Sequence, residues 1–152
     1  DLFGIHLFPT VEVLLGLSGA WVALTQGTGA LSSVDVVALV VTAGAITIET
    51  VADQKLVAFA KVKRPGEIIK TGLWGYSRHP NYFGELSFWW GLYLFGLAAN
   101  PSFVWTIAGP LVMTGMFFGV SIPWMDRRSC ERRPEYADHM KRVSALVPWF
   151  PK

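Results

Sequence analysis

An eleven-residue stretch at positions 75–85, GYSRHPNYFGE, concentrates polar side chains in an otherwise apolar chain. Its proline suits the first turn of a helix, so we expect a helix to begin there. Asn81 and Glu85 would then share one helical face. Arg78 and His79 would lie beside the free N–H groups of the first turn, which attract anions such as phosphate. The stretch therefore predicts a ligand site.

A second polar pair lies upstream. Glu49 and Asp53 are one helical turn apart at the end of an apolar segment, so they would share a face. Ionisable groups at membrane depth usually line a site or cavity. The alternative is a helix end whose charges reach the lipid headgroups, and spacing alone leaves both interpretations open.

The elements that carry these residues are predicted to cross a membrane. The chain of 152 residues is 52% hydrophobic and only 16% charged, which is far from the composition of a soluble domain. The single Cys130 excludes an internal disulfide and a thiolate metal cluster, and no metal site is expected. Four apolar segments are each close to the length of about 20 residues that spans a bilayer, and they lie at 2–25, 34–54, 80–98 and 103–123.

The distribution of basic residues predicts the orientation. Residues 1–54 contain no Lys or Arg, whereas six occur from Lys55 to Arg78 and seven from Arg127 to Lys152, which accounts for all 13. Basic loops stay in the cytoplasm, so the loop 55–79 and the tail 124–152 should be cytoplasmic. We therefore expect an all-α integral membrane protein with one membrane domain over 1–152, four spans and a short cytoplasmic C-terminal helical cap. Its surroundings would be the lipid bilayer, and no nucleic-acid partner is expected.

Several ordered motifs carry a family resemblance. GLWGYSRHPNYFGE, with ETVADQK upstream, KRPGE between them and the ending YADHMKRVSALVPWFPK, resembles the C-terminal half of the 3-oxo-5-alpha-steroid 4-dehydrogenase (steroid 5-alpha-reductase) family, particularly its bacterial branch. The resemblance runs from about Ile48 to Lys152. Related sterol reductases share an Arg-His-Pro-Asn-Tyr run, and isoprenylcysteine carboxyl methyltransferases have a similar run with Ser in place of Asn. We therefore expect the chain to be the C-terminal part of a larger helical bundle.

The resemblance implies a reductase of the bacterial inner membrane. Such an enzyme binds NADPH in a cavity that faces the cytoplasm and reduces a carbon–carbon double bond conjugated to a ketone in a steroid-like or other lipid substrate. Tyr82 and Glu85 are the candidates for the group that polarises the ketone. The cofactor-binding residues implied are Glu49, Asp53, Lys63, Arg64, Tyr76, Arg78, His79, Asn81, Glu85, Tyr136 and Arg142.

The chemistry of NADPH agrees with this expectation. Its diphosphate and 2′-phosphate need fixed cations, and the planar fork of arginine suits phosphate. No Gly-x-Gly-x-x-Gly run is present, so a Rossmann fold is not predicted to bind the cofactor. The protein would place the cofactor against the enone, while hydride transfer belongs to the cofactor itself.

Two other functions stay open from the sequence. The first is a membrane methyltransferase that uses S-adenosylmethionine, a cofactor without phosphate; Asn81 and the ADQK run argue against it. The second is a noncatalytic lipid-binding or assembly subunit. The basic residues do not separate these cases, because cytoplasmic loops are basic in any of them.

Overall fold

The structure, a computed structural model, describes residues 7–27 and 29–152. Its described residues contain helices and no strand, apart from one isolated bridge between Ser77 and Ser144. The α-helices are α1 (Phe8–Gly16), α2 (Ser18–Gln26), α3 (Ser33–Val62), α4 (Pro80–Ala99), α5 (Ala108–Met116), α6 (Ile122–Arg132) and α7 (Tyr136–Arg142). The described residues also include two 3₁₀ helices, Gly72–Gly75 and Pro101–Ile107, and a π-helix, Phe117–Ser121. The predicted all-α class is confirmed.

Three helical stretches are long and apolar enough to cross a membrane, namely Phe8–Gln26, Ser33–Val62 and Pro101–Arg132. Their outward side chains are largely apolar, as lipid contact requires; Val40 of α3, for example, is 65% exposed. The third predicted segment, 80–98, forms α4 but is not among these three stretches. The structure thus supports a membrane protein, and the prediction of four spans is not confirmed.

Two helices extend beyond the predicted membrane segments, whose bounds stay predictions. The second segment was expected to end at residue 54, but α3 continues to Val62; the last was expected to end at 123, but helix continues to Arg132. The predictions followed the first charged residues, yet a lysine on a helix can extend its apolar stem and reach water without ending the helix. Residues 2–6 of the first predicted segment lie outside the described residues.

The chain divides into two compact units. The first combines residues up to 45 with 86–116, and its helices approach closely through glycine. A Cβ at Gly19 would lie 2.6 Å from the carbonyl oxygen of Leu92, and one at Gly96 would lie 2.6 Å from the carbonyl oxygen of Gly19. Small residues of this kind allow membrane helices to pack backbone to backbone.

The second unit combines residues 46–85 with 117–152. It contains the end of α3, the first turn of α4, α6 and α7, and it holds nearly all the residues that the sequence singled out. The predicted short C-terminal helix is present as α7. The prediction of one membrane domain over 1–152, and the cytoplasmic position of its loop and tail, stay predictions.

Candidate ligand cavity at the start of α4

The turn before α4 is held by the C-terminal segment of the chain. The buried Ser77 hydroxyl donates a hydrogen bond to the carbonyl oxygen of Leu146 at 2.7 Å. The backbone N–H of Arg78 donates to the carbonyl oxygen of Ser144 at 2.9 Å. The same hydroxyl oxygen accepts from the backbone N–H of His79 at 3.1 Å. Residues 144–146 therefore position the two basic residues that directly precede α4.

Asp126 on α6 lies at the centre of a buried charge network. Its Oδ2 accepts from Nη2 of Arg78 at 2.7 Å, and its Oδ1 lies 2.9 Å from Nε2 of His79 and accepts from the hydroxyl of Tyr136 at 2.9 Å. Burial, together with the Asp126 carboxylate, raises the pKa of Tyr136, which therefore remains a proton donor. One carboxylate thus joins α6, α7 and the start of α4.

Arg78 is largely occupied by the protein itself. Besides its ion pair, its Nη1 donates to the carbonyl oxygens of Met140 at 2.9 Å and Val143 at 3.2 Å. Its side chain is 9% exposed, and Nε is buried without a hydrogen-bond partner. The guanidinium therefore holds the tail in place with most of its donors, and its predicted role in cofactor binding stays a prediction.

A cavity of about 410 Å³ adjoins this network. Its size falls within the range of about 300–1,000 Å³ usual for small-molecule sites. Every lining residue belongs to the second unit, and most of the exposed wall is apolar or aromatic. The lining consists of Leu56, Ile68, Ile69, Trp74, Arg78, His79, Asn81, Tyr82, Met125, Arg128, Ser129, Arg132, Arg133, Tyr136 and His139.

Aromatic packing fixes one wall of this cavity. The ring of Tyr82 stacks on the ring of His79, with centroids 5.2 Å apart and planes 10° from parallel. Phe117, the first residue of the π-helix, meets Tyr82 edge to face at 4.8 Å. Trp74 is fixed separately, because its indole N–H donates to the carbonyl oxygen of Ala52 at 3.0 Å. Such π turns are frequent at functional sites, and this one begins the segment that leads to Asp126.

Basic side chains form another part of the lining. Arg128, Arg132 and Arg133 contribute three guanidinium groups, and His139 also lines the cavity. Burial and the surrounding positive charge lower the pKa of His139, so this imidazole is neutral near neutral pH. The cavity therefore combines an apolar and aromatic interior with cations that could face an anionic ligand.

Only some of the predicted site residues line the cavity. Arg78, His79, Asn81 and Tyr136 line it, as does Tyr82. The predicted cofactor residues that lie outside its lining are Glu49, Asp53, Lys63, Arg64, Tyr76, Glu85 and Arg142. Tyr76 and Arg142 are exposed, and Lys63 and Arg64 line a separate groove. The role of these seven in cofactor binding stays a prediction.

Sequence reasoning missed the α6 side of the cavity. Asp126 was not singled out, although it is an acid buried within a basic stretch. A helical pattern could have found its neighbours, because Met125, Arg128, Ser129 and Arg132 recur at the i, i+3, i+4 and i+7 spacing of one helical face. The predicted membrane segment ended at 123, and the helix that continues beyond it carries this face.

Comparison with known proteins places the chain in a family. Residues 2–143 match the family described as "Protein of unknown function (DUF1295)". The chain belongs to this family. The match covers all the residues that line the cavity, so the cavity lies within the part of the chain that the DUF1295 family defines.

The chain is also similar to "Uncharacterized protein C594.04c" of Schizosaccharomyces pombe, with 29% identity over 167 residues. The alignment covers 96% of the chain but 48% of the yeast protein, so the chain spans about half the length of this relative. No solved structure matches the chain.

Proposed function

We propose that this DUF1295 chain is the cofactor-binding part of an NADPH-dependent membrane reductase. Its substrate would be a steroid-like or other lipid enone, whose carbon–carbon double bond conjugated to a ketone is reduced. The family is associated with steroid 5-alpha-reductase-like proteins, which supports the proposal. The reductase would lie in the bacterial inner membrane with its cofactor site facing the cytoplasm.

The composition of the cavity wall is the main support for the proposal. Four residues that the family resemblance implicates in cofactor binding come together around one space, namely Arg78, His79, Asn81 and Tyr136. They originate from the start of α4 and from α7, which are more than 50 residues apart along the chain. A purely structural role would not require these residues to surround a cavity.

The chemistry of the cavity fits the cofactor. Trp74 and Tyr82 offer aromatic surface for a planar ring, and Arg128, Arg132 and Arg133 offer forked cations for phosphate groups. Phosphate would depend on these three arginines rather than on Arg78, whose donors are directed mainly at Asp126 and the tail.

Tyr82 is the better placed of the two candidate catalytic residues. It lines the cavity, whereas Glu85 does not. When bound, NADPH supplies a hydride to the double bond. The Tyr82 hydroxyl would donate a hydrogen bond to the ketone oxygen, which withdraws electron density from the double bond and favours hydride addition. The stacked ring of His79 would hold the tyrosine in position.

Thermal unfolding of the purified chain with separate millimolar additions of NADPH, NADH and S-adenosylmethionine tests the proposal. A ligand that binds only the folded state raises the melting temperature by mass action. We expect NADPH to raise it most and S-adenosylmethionine not to raise it. Protection by S-adenosylmethionine alone would indicate a methyltransferase, and protection by none of the three would favour a noncatalytic lipid-binding subunit.

Variants then locate the site and separate binding from turnover. Asn81→Ala should weaken NADPH binding by about 1–3 kcal/mol, because a buried polar group on the ligand loses its partner. Gln26→Ala removes an exposed amide at the end of α2, outside the cavity, and should leave binding unchanged. In the full-length reductase, Tyr82→Phe should lower kcat on an enone while the NADPH affinity is retained. Equal NADPH affinity for Asn81→Ala and Gln26→Ala would place the cofactor elsewhere.

A further inference from the structure

Large apolar side chains are exposed in the C-terminal segment that follows α7. Val147, Trp149 and Phe150, here called the apolar rim, are 53%, 69% and 76% exposed. The backbone N–H of Trp149 donates to the carbonyl oxygen of Tyr76 at 3.0 Å, and the ring of Phe150 meets the ring of Tyr76 edge to face at 6.0 Å. The protein therefore holds the rim in a defined position while it leaves these side chains largely uncovered.

The composition of the rim favours a lipid interface over water. Single exposed apolar residues are common on any protein surface, whereas three large ones within positions 147–150 form a continuous patch, which marks a contact surface. Tryptophan has an apolar body and one N–H donor. Such a side chain suits the headgroup level of a bilayer, where one end of the ring meets hydrocarbon and the other meets water.

Basic residues accompany the rim. Lys152 follows it, and its backbone N–H donates to the carbonyl oxygen of Arg142 at 3.0 Å, so these two exposed residues lie at one edge of the segment. Neither forms an ion pair among the described residues. Asp138 on α7 pairs with Lys141 at 2.8 Å and offsets part of the positive charge. Aromatic side chains with basic neighbours match the headgroup level, where anionic lipids attract Lys and Arg.

The ion pair between Arg78 and Asp126 relates the rim to a tryptophan of α6. Tyr76, to which the rim is bonded, lies two residues before Arg78, and Trp124 lies two residues before Asp126. Trp124 is 58% exposed on a stretch long and apolar enough to cross a membrane, and the guanidinium of Arg128 lies over its ring at 5.4 Å. Two residues of a helix span only about 3 Å. The rim and this exposed tryptophan therefore lie close to the same depth.

From its exposure, its composition and this depth, we propose that the rim of Val147, Trp149 and Phe150 inserts into the headgroup region of the bilayer. The C-terminal segment then returns to the membrane surface after α7. Residues 144–146 of the same segment hold the turn before α4, so the lipid contact also fixes the segment that positions this turn. The inference is independent of the proposed reductase activity, since it involves neither cofactor nor substrate.

Spin labels measure the depth of the rim. The chain, with Cys130 replaced by Ser, is reconstituted in vesicles of phosphatidylcholine and phosphatidylglycerol, and a nitroxide is attached at Trp149→Cys or at Phe150→Cys. Electron paramagnetic resonance records collisions of the nitroxide with oxygen, which concentrates in lipid, and with a neutral nickel chelate, which stays in water. The control is Glu135→Cys, an exposed position beyond the end of α6, and that helix extends about 12 Å past Trp124.

The ratio of oxygen collisions to nickel collisions should be several-fold higher at both rim positions than at Glu135→Cys. A ratio equal to that of the control would mean that the rim faces water, and few collisions with either reagent would mean that protein covers it; each result would overturn the proposal. Because both side chains are exposed, the variants should fold, and their thermal unfolding checks this.

A second measurement keeps the other rim residues in place. Lipids brominated near the headgroup quench the fluorescence of tryptophan that contacts them, so the fluorescence lost in Trp149→Phe should belong to the quenched fraction. If the substitution removes only unquenched fluorescence, Trp149 does not contact lipid and the proposal is wrong.

Discussion

The carboxylate of Asp126 lies 2.9 Å from Nε2 of His79, although 47 residues separate them in the chain. The same carboxylate forms an ion pair with Arg78. The two contacts connect α6 to the start of α4. His79 and Arg78 both line the candidate cavity. The shape of the cavity therefore depends on a residue that is not itself on its lining.

Loss of this carboxylate should destabilise the chain strongly. Asp126→Ala would leave the buried Arg78 guanidinium without its ion pair, and breaking a buried pair in this way costs about 3–5 kcal/mol. Unfolding of purified protein in a mixed-detergent titration measures the change. Asp138→Ala is the control, since that acid forms an exposed pair with Lys141 and its loss should leave the stability nearly unchanged. Equal effects of the two substitutions would contradict the central role of Asp126.

The stability of the chain should depend on pH through His139. Burial lowers its pKa below the ordinary value of 6.5, and Lys70, Arg78 and Arg142 lower it further, while Asp126 acts in the opposite direction. At pH values between the folded-state pKa and 6.5, the unfolded state therefore binds more protons at this histidine than the folded state does. The contribution of His139 to stability thus falls as pH drops below about 6.5 and is constant above it. Melting temperatures between about pH 5 and pH 8, a range in which histidine titrates, measure this.

The matched variant is His139→Gln, which cannot titrate in this range. Its stability should change less with pH than that of the wild type, because the other titrating groups are the same in both proteins. If the two proteins lose the same stability between pH 7 and pH 5, within the range in which histidine titrates, another group is responsible.

The close approach at Gly19 should not tolerate a side chain. A Cβ there would meet the carbonyl oxygen of Leu92 at 2.6 Å and the Cα of Tyr93 at 2.8 Å, and these backbone atoms cannot move independently of α4. Gly19→Ala should therefore destabilise the first unit by about 1–3 kcal/mol, the usual cost of overpacking. Gly115→Ala is the control, because a Cβ at Gly115 meets nothing within 4 Å. An equally stable Gly19→Ala variant would show that α2 and α4 are packed more loosely.

Chemical labelling tests the orientation expected from the basic residues. In a background with Cys130 replaced by Ser, cysteines at Lys63 and Arg132 should react with an impermeant reagent from the cytoplasmic side, and one at Ala30 from the opposite side. Ala30 is exposed and precedes α3, and it avoids the positive φ of Gly29. Reaction of Ala30→Cys and Lys63→Cys from the same side would mean that α3 does not cross the membrane.

The sequence could predict the membrane class and the helical architecture, because both depend on local patterns. Runs of apolar residues such as 34–54 predict helices wherever the backbone must satisfy its own hydrogen bonds in lipid. The sequence also predicted that α4 begins near Pro80, because proline fits the first helical turn. Helix ends such as Val62 and Arg132 lie beyond the predicted membrane segments, because charge indicates where water begins and not where a helix stops.

The motif around Arg78 and Asn81 also indicated the candidate site from the sequence alone, because its residue types are unusual in an apolar chain. Only the tertiary structure decided which groups those residues contact. It directed most donors of Arg78 to Asp126 and to the carbonyl oxygens of Met140 and Val143, and it brought Arg128, Arg132 and Arg133 to the cavity. Composition and spacing show which side chains carry charge, but the partner of a buried charge is set by long-range packing, which local sequence patterns do not encode.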